Sequence, residues 1–381
     1  MDEYIDWKKL VELNVKRLKE VMSESGVDCV IINSMDNFRW LTGIPLTLGW
    51  FFRYSHMAVQ SRDADEPIIL ALEGYDVIEK NWFKHVYTLP FSKEVFQPAD
   101  ITNWHKICAK VVTDLGVSKG KIAVDPEMPF IFKDALSKEI RDANIVSASE
   151  ILRKARLIKN VEEIKAVRVS CAIADIGMKV GLDMIKEGVR EREIAGAIVK
   201  TLMDYGADVE YMPFVLSGIR PMHIHASEKI IRRDELVRID FGNLYCGYRS
   251  DFSRTMYVGD PPNELRSIYD SLLEAYNECI KALKPGITNN EVYNIISKRF
   301  SDATKGKYQI GGFLGHGLGI GVHMMPYFGS NAEEVKLEKG MYFCLEPAVM
   351  VKWGNLAVED DFVLTEEGPE ILTRTPREWR A

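Results

Sequence analysis

The chain has 381 residues, 46% hydrophobic and 28% charged, a core-forming composition too long for one compact domain at about 100–200 residues each. Its 49 Lys and Arg against 56 Asp and Glu leave a formal charge of −7, the wrong sign for non-specific binding to nucleic-acid phosphates. The amino end lacks a secretory h-region, no apolar run nears the about 20 residues that span a bilayer, and six scattered cysteines lack zinc-knuckle or redox-dithiol spacing, so the expectation is a cytoplasmic protein with no nucleic-acid or membrane partner.

Val11, Val15, Leu18 and Met22 lie at helical spacing and predict a helix over Val11 to Glu24, stopped by Gly26. Cys29-Val30-Ile31-Ile32 reads as a buried strand, Leu41 to Pro45 as a turn, and Pro67 to Leu72 and Lys121 to Pro126 as further strands. Helices alternating with strands in this way make an α/β layer domain. The text changes near residue 155, where the boundary is placed: 1–155 and 156–381. Asn160 with Glu163 three residues on signals a helix start, and Ile164, Val167, Cys171, Ala174 and Met178 form its apolar stripe. A second helix from Glu191 carries Ile194, Ile198 and Leu202 and is closed by Gly206. Strand-like runs follow, interrupted by helices near Glu264 to Leu283 and Asn290 to Phe300.

Four of the seven histidines, His223, His225, His316 and His323, lie in the second domain, each near glycine, proline or carboxylates. Leu236 to Gly242 reads as a strand and Tyr248 to Thr255 as its return. Asp240 and Asp251 are an odd number of residues apart, so an even-loop hairpin makes them direct cross-strand partners, with Cβ atoms about 4.5–5.5 Å apart. Two carboxylates so placed repel each other unless a cation lies between them. Glu346 and Glu359 repeat the arithmetic around a Gly354-Asn355 turn. A bulge, for which Gly247 is a candidate, would break the register, and either pair taken alone reads better as solvated strand residues. Between the pairs, Gly311 to Pro326 packs glycines densely around His316, which suits a ligand or substrate contact better than core packing. One imidazole and four carboxylates make an oxygen-rich set, suited to a pair of Mn²⁺, Co²⁺, Fe²⁺ or Zn²⁺ ions.

With these residues in view, the chain resembles the pita-bread metallopeptidase family of prolidase (Xaa-Pro dipeptidase), aminopeptidase P and methionine aminopeptidase, with creatinase as a metal-free relative. Asn37-Phe38-Arg39-Trp40-Leu41-Thr42-Gly43 is similar to an Asn-x-x-Tyr-Leu-Thr-Gly signature of the prolidase and creatinase amino-terminal domain. The fold so implied is α/β (α+β): an amino-terminal creatinase/prolidase-type domain followed by a pita-bread catalytic domain. The resemblance implies that Asp240, Asp251, His316, Glu346 and Glu359 bind two divalent metal ions, Mn²⁺ or Co²⁺ before Zn²⁺ or Fe²⁺. It implies hydrolysis of an amide bond by a metal-bridging hydroxide, with Glu346 moving the proton and His223 and His323 as catalytic histidines. It also implies a homodimer whose active site borders the partner's amino-terminal domain, a cleft that the aromatics Trp40, Trp50, Phe51, Phe52 and Tyr54 would line; ordinary core packing explains them equally well.

Three positions depart from the prolidase pattern: Ala357 where Arg is common, Met324 where Glu follows the second histidine, and Gly321 in place of another Glu. Arg220 is either a replacement charge for the substrate carboxylate or, preferably, a surface arginine. The leading expectation is a Xaa-Pro dipeptidase or aminopeptidase acting on a small peptide. The alternatives are the same site acting on a small non-peptide amide, amidine or related metabolite, and, last, a non-enzymatic binding module.

Overall fold

The structure is a computed structural model of the chain and describes residues 4–44, 56–72, 82–89, 104–209, 212–220 and 225–377. The chain divides into two compact units, Met1–Arg156 and Leu157–Ala381.

The first unit is built on strands β1 (Cys29–Ile32), β2 (His56–Ser61), β3 (Ile68–Leu72), β4 (Val86–Leu89), β5 (Lys121–Val124) and β6 (Asn144–Ser147). They form one mixed sheet in the order β4-β3-β2-β1-β5-β6, in which β2 runs antiparallel to both its neighbours. The first helix begins at Trp7, earlier than its apolar spacing suggests, because the Asp6 side chain accepts from Lys9 N at 3.0 Å and caps it. The expected turn at Leu41 is instead the end of a helix, Met35–Thr42, which stops as Gly43 turns left-handed. Asn37 lies on that helix and donates to the Asp125 carboxylate at 3.2 Å, while Asp125 also accepts from Ser34 N and Oγ at 3.0 and 2.7 Å. The Asn37 segment therefore ties the helix to the loop after β5. Trp40 is buried in this unit's core; Trp50, Phe51, Phe52 and Tyr54 lie outside the described residues.

In the second unit a helix pair is twice followed by a long antiparallel hairpin. Helices Val161–Met184 and Glu191–Asp204 come first, and Asn160 forms the expected capping box with Glu163. Strands β7 (Phe214–Ser217), β8 (Leu236–Phe241), β9 (Leu244–Tyr245), β10 (Tyr248–Arg249) and β11 (Phe252–Tyr257) follow. The second round has helices Asn263–Ala282 and Asn289–Ala303, then β12 (Phe313–Gly317), β13 (Met324–Gly329), β14 (Tyr342–Leu345), β15 (Ala348–Val351), β16 (Gly354–Ala357), β17 (Asp360–Leu364) and β18 (Pro369–Ile371). Among the described residues these strands make a β11-β8-β7 sheet, a β13-β12-β14-β17-β18 sheet and two tip ribbons, β9–β10 and β15–β16. The apolar side chains of the second helix pair and of β14 and β17, including Tyr276, Phe300, Phe343 and Phe362, close into one core cluster.

Both hairpins keep one register through their tips, with a correction to each expectation. In the first, Asp240 lies opposite Ser253 rather than Asp251, so Asp251 is displaced by two residues. A shift of two preserves the face, and Asp240 and Asp251 remain diagonal neighbours on one side of the sheet. Gly247 is not a bulge: with Cys246 it forms the two-residue tip turn, both at positive φ (55° and 86°), as right-handed strand twist favours. In the second hairpin the pairs Leu345↔Asp360 and Ala348↔Ala357 put Glu346 opposite Glu359, as expected. The tip there is Lys352–Trp353, and Gly354 and Asn355 already belong to β16.

Candidate metal centre

Five of the residues singled out in the sequence converge where the two hairpins meet. Asp240 comes from β8, Asp251 from the junction of β10 and β11, His316 from β12, Glu346 from the end of β14, and Glu359 from the junction of β16 and β17. Oxygens of Asp240, Asp251 and Glu359 lie within 4.8 Å of one another. His316 Nε2 links this group to the rest, standing 3.7 Å from Asp251 Oδ2 and 3.5 Å from Glu346 Oε1. Its other nitrogen, Nδ1, is 3.1 Å from Gly317 O, so donation there fixes the ring and leaves the Nε2 lone pair facing the carboxylates and the Cys344 thiol. Gly317 is required by close approach: a Cβ there would stand 2.0 Å from Met325 O on the neighbouring strand.

The electrostatics are those of carboxylates crowded together in a largely buried site. Burial, then the charges of Asp240, Glu346 and Asp361, push the Asp251 carboxyl up. Burial and the neighbouring Glu346, Asp251 and Asp240 do the same to Glu359, and burial with Asp240 carries Glu346 to about 7. Burial and the adjacent His323 take His316 down to about 4, so its ring is neutral near pH 7. Glu359 Oε2 is buried and has no hydrogen-bond partner among the described residues. A buried carboxylate oxygen without a hydrogen bond, beside three other carboxylates and a neutral imidazole, is a donor set that fits divalent cations.

His323 lies beside the cluster, its ring centroid 4.4 Å from that of His316. His223 falls outside the described residues. His225 turns elsewhere and stacks on Phe214 at 5.2 Å. Arg220 is half-buried rather than an open surface arginine: it pairs with the buried Glu191, which also accepts from the hydroxyls of Ser217 and Ser227 at 2.8 and 2.7 Å.

Three residues that belong to the site were not singled out in the sequence. Arg238 is buried; its Nη2 lies 2.5 Å from Asp240 Oδ2, 3.7 Å from Glu359 Oε2 and 3.9 Å from Glu346 Oε2, and its Nη1 donates to Asn355 Oδ1 at 2.9 Å. Cys344 is buried with Sγ 3.4 Å from His316 Nε2. Asp361 accepts from Asp251 N at 3.0 Å and from Tyr342 OH at 3.0 Å, which holds the Asp251 backbone from behind. A signal was present for two of them, since Arg238 stands two residues before Asp240 and Cys344 two before Glu346, the strand spacing that shares a face.

The Metallopeptidase family M24 model matches residues 165–366, and the Creatinase/Prolidase N-terminal domain model matches residues 14–158. The chain belongs to metallopeptidase family M24. It is 30% identical to a Xaa-Pro dipeptidase of Pyrococcus horikoshii over 96% of this chain and 97% of that one. Among solved structures it is similar to a Xaa-Pro dipeptidase from Bacillus anthracis (TM-score 0.83, 26% identity, 96% and 98% of the two chains). It is also similar to a prolidase from Pyrococcus horikoshii (TM-score 0.79, 27% identity, 96% and 99%). The fold is therefore the two-domain prolidase architecture, with the pita-bread unit second, and the protein is a metal-dependent peptidase.

Proposed function

We propose that this protein is a Xaa-Pro dipeptidase that uses two divalent metal ions held by Asp240, Asp251, His316, Glu346 and Glu359. The observation that carries the reading is the convergence of these five side chains, with Glu359 Oε2 buried and without a hydrogen bond among the described residues. When bound, the ions polarise a substrate carbonyl and bring a water toward its hydroxide form near neutral pH. Mn²⁺ or Co²⁺ is the proposed pair, because carboxylate oxygens outnumber nitrogen donors.

The chain's own groups have distinct tasks. Asp240, Asp251 and Glu359 supply the negative charge that concentrates cations, and the Gly317 carbonyl orients His316. Glu346, at the solvent side of the cluster, takes a proton and passes it to the leaving amine. His323 donates a hydrogen bond to the developing charge on the substrate, as does His223. Phe313 is 45% exposed, and its ring stacks at 5.9 Å on His316. That apolar face suits a pyrrolidine ring.

The departures from the prolidase pattern bear on this reading. Ala357 is fully buried, its backbone hydrogen-bonded to Thr255 Oγ1, and the cation close to Glu359 comes from Arg238 on the adjacent hairpin instead. A basic residue at 357 is therefore not needed for the carboxylate cluster to have a cationic neighbour. A homodimer in the cytoplasm completes the proposal; the six free cysteines agree with a reducing compartment, and no described helix is long and apolar enough to cross a membrane.

The test is a metal-reconstituted screen of Xaa-Pro dipeptides, longer Xaa-Pro peptides, and guanidino or cyclic amide compounds. Proline release from the dipeptides is expected. Turnover of only the non-peptide compounds, or none with the metals bound, overturns the proposal. Light scattering after size exclusion should give twice the chain mass, and a monomer at micromolar concentration counts against the dimer.

A further inference from the structure

We propose that Cys344 is a sulfur ligand of this metal centre, so that one of the two positions offers a mixed sulfur, nitrogen and oxygen set to a thiophilic divalent cation. The inference rests on the metal centre proposed above and adds a donor outside its five ligands.

The geometry is that of ligands arranged around one point. His316 and Cys344 are direct cross-strand partners on β12 and β14, and Glu346 lies two residues beyond Cys344. His316 Nε2 is 3.4 Å from Cys344 Sγ and 3.5 Å from Glu346 Oε1, and the three donor atoms all fall within 4.8 Å of one another. Bonds of about 2.3 Å to sulfur and about 2.0 Å to nitrogen or oxygen, meeting at a tetrahedral angle, separate neighbouring donors by roughly 3.5 Å. The two distances to His316 match the edges of such a shell.

The surroundings supply a second, independent pointer to a cation. Directly opposite Cys344 on β17, Asp361 Oδ1 is buried without a hydrogen-bond partner among the described residues. Of the other cysteines, Cys171 is also buried nearby, but its thiol lies against Tyr342 OH at 3.5 Å and Asp361 Oδ2 at 3.3 Å rather than against a ring nitrogen. Cys344 alone among the described cysteines stands against His316. Coordination exchanges its thiol proton for the cation: the S–H bond breaks, the sulfur–metal bond forms with the same electron pair, and one proton leaves to solvent per ion bound.

A soft donor changes which ions are favoured. Thiolate draws Zn²⁺, Co²⁺ and Cd²⁺ toward this position relative to Mn²⁺, whose preference is for carboxylate and water. The remaining carboxylate cluster of Asp240, Asp251 and Glu359 keeps its oxygen character.

The experiment is titration of the metal-free full-length protein with Co²⁺, followed by absorption, with Cd²⁺ and Mn²⁺ affinities measured by calorimetry. The expected result is a near-ultraviolet sulfur-to-cobalt charge-transfer band beside the visible ligand-field bands. Cys344→Ser should lose the former and keep the latter, while Cys171→Ser keeps both. Cys344→Ser should also weaken Cd²⁺ binding by at least about tenfold relative to Mn²⁺. Cys344→Ala, checked for an unchanged circular dichroism spectrum, separates lost ligation from lost folding. Visible bands without the charge-transfer band in the unaltered protein overturn the Cys344 assignment and leave the metal centre standing. No Co²⁺ uptake at all overturns both.

Discussion

Arg238 is a buried cation in a site whose chemistry calls for two more, and its removal should be felt chiefly when those two are absent. At an effective dielectric of about 20, opposite unit charges about 4 Å apart attract by about 4 kcal/mol. Arg238 faces Asp240 at 2.5 Å, Glu359 at 3.7 Å and Glu346 at 3.9 Å, so its gross attraction exceeds 10 kcal/mol at about that dielectric. Most of this is offset by desolvation of the guanidinium and by protonation of the carboxylates once it is gone. Removing one member of a buried ion cluster leaves a net cost of about 3–5 kcal/mol. For a unit of this size that corresponds to a fall in Tm of about 10 °C. The assay is calorimetry of Arg238→Met and the unaltered protein, once in EDTA and once with saturating Mn²⁺. The deficit should be full in EDTA and shrink to less than half with Mn²⁺, because two dications restore the charge that Arg238 supplied. Arg238→Lys should recover part of the EDTA deficit. An equal deficit in both conditions would mean that the side chain only fills space, and no deficit in EDTA would refute the electrostatic role.

Glu359→Gln should weaken Mn²⁺ binding by more than about 100-fold and abolish proline release, read by calorimetry and a proline assay; near-normal binding removes Glu359 from the ligand set. His323→Ala should lower kcat by about 100- to 1,000-fold with metal content unchanged, and a parallel loss of metal would show instead that it supports the cluster. The stability of the metal-free protein should fall as pH rises from about 6.5 to 8. Carboxyls raised by burial, Glu346 to about 7 and Asp361 to about 8, hold protons in the folded state that the unfolded chain has released, so their contribution is lost as pH climbs through those values. His316, lowered to about 4, acts oppositely between about 4 and 6.5 and cancels part of that slope there. Melting in EDTA across this range checks the sign, and a Tm that rises toward pH 8 contradicts it.

The sequence shows its helices best where local chemistry and burial agree. Asn160 and Glu163 form the capping box their spacing announces, and the stripe from Val167 to Met178 is buried as periodicity requires. Legibility fails where the signal is short or depends on distant partners. Met35–Thr42 is one short helix held by Asn37 and Asp125, residues 88 apart in the chain, and nothing in its apolar pattern separates it from a turn. The helix Phe130–Glu139 buries only Phe132 and Leu136, too few to mark a face, whereas Trp104–Asp114 carries a regular buried stripe of Trp104, Cys108, Val111 and Val112 that its spacing does announce.

The site divides along the same line, and the reason is the two-residue period of strands. Parity alone placed Asp240 with Asp251, and Glu346 with Glu359, on common faces, and parity survives any even slip; the error of two in the first register therefore cost nothing in function. A bulge would have shifted one carboxylate to the opposite face. Turn chemistry, with Cys246 and Gly247 both at positive φ, is what keeps the hairpin free of one. The same parity extended by one step brings Arg238 and Cys344 onto those faces. Like-charge pairing points to neither an arginine nor a thiol, although a cluster of four carboxylates needs a cation nearby more than it needs a fifth acid. Arg220 fails for the opposite reason: its environment is Glu191, 29 residues away on a helix, and no strand arithmetic connects them. Chemistry carried by one sheet face is thus accessible from spacing, whereas chemistry assembled between a helix and a loop emerges only once the chain has folded.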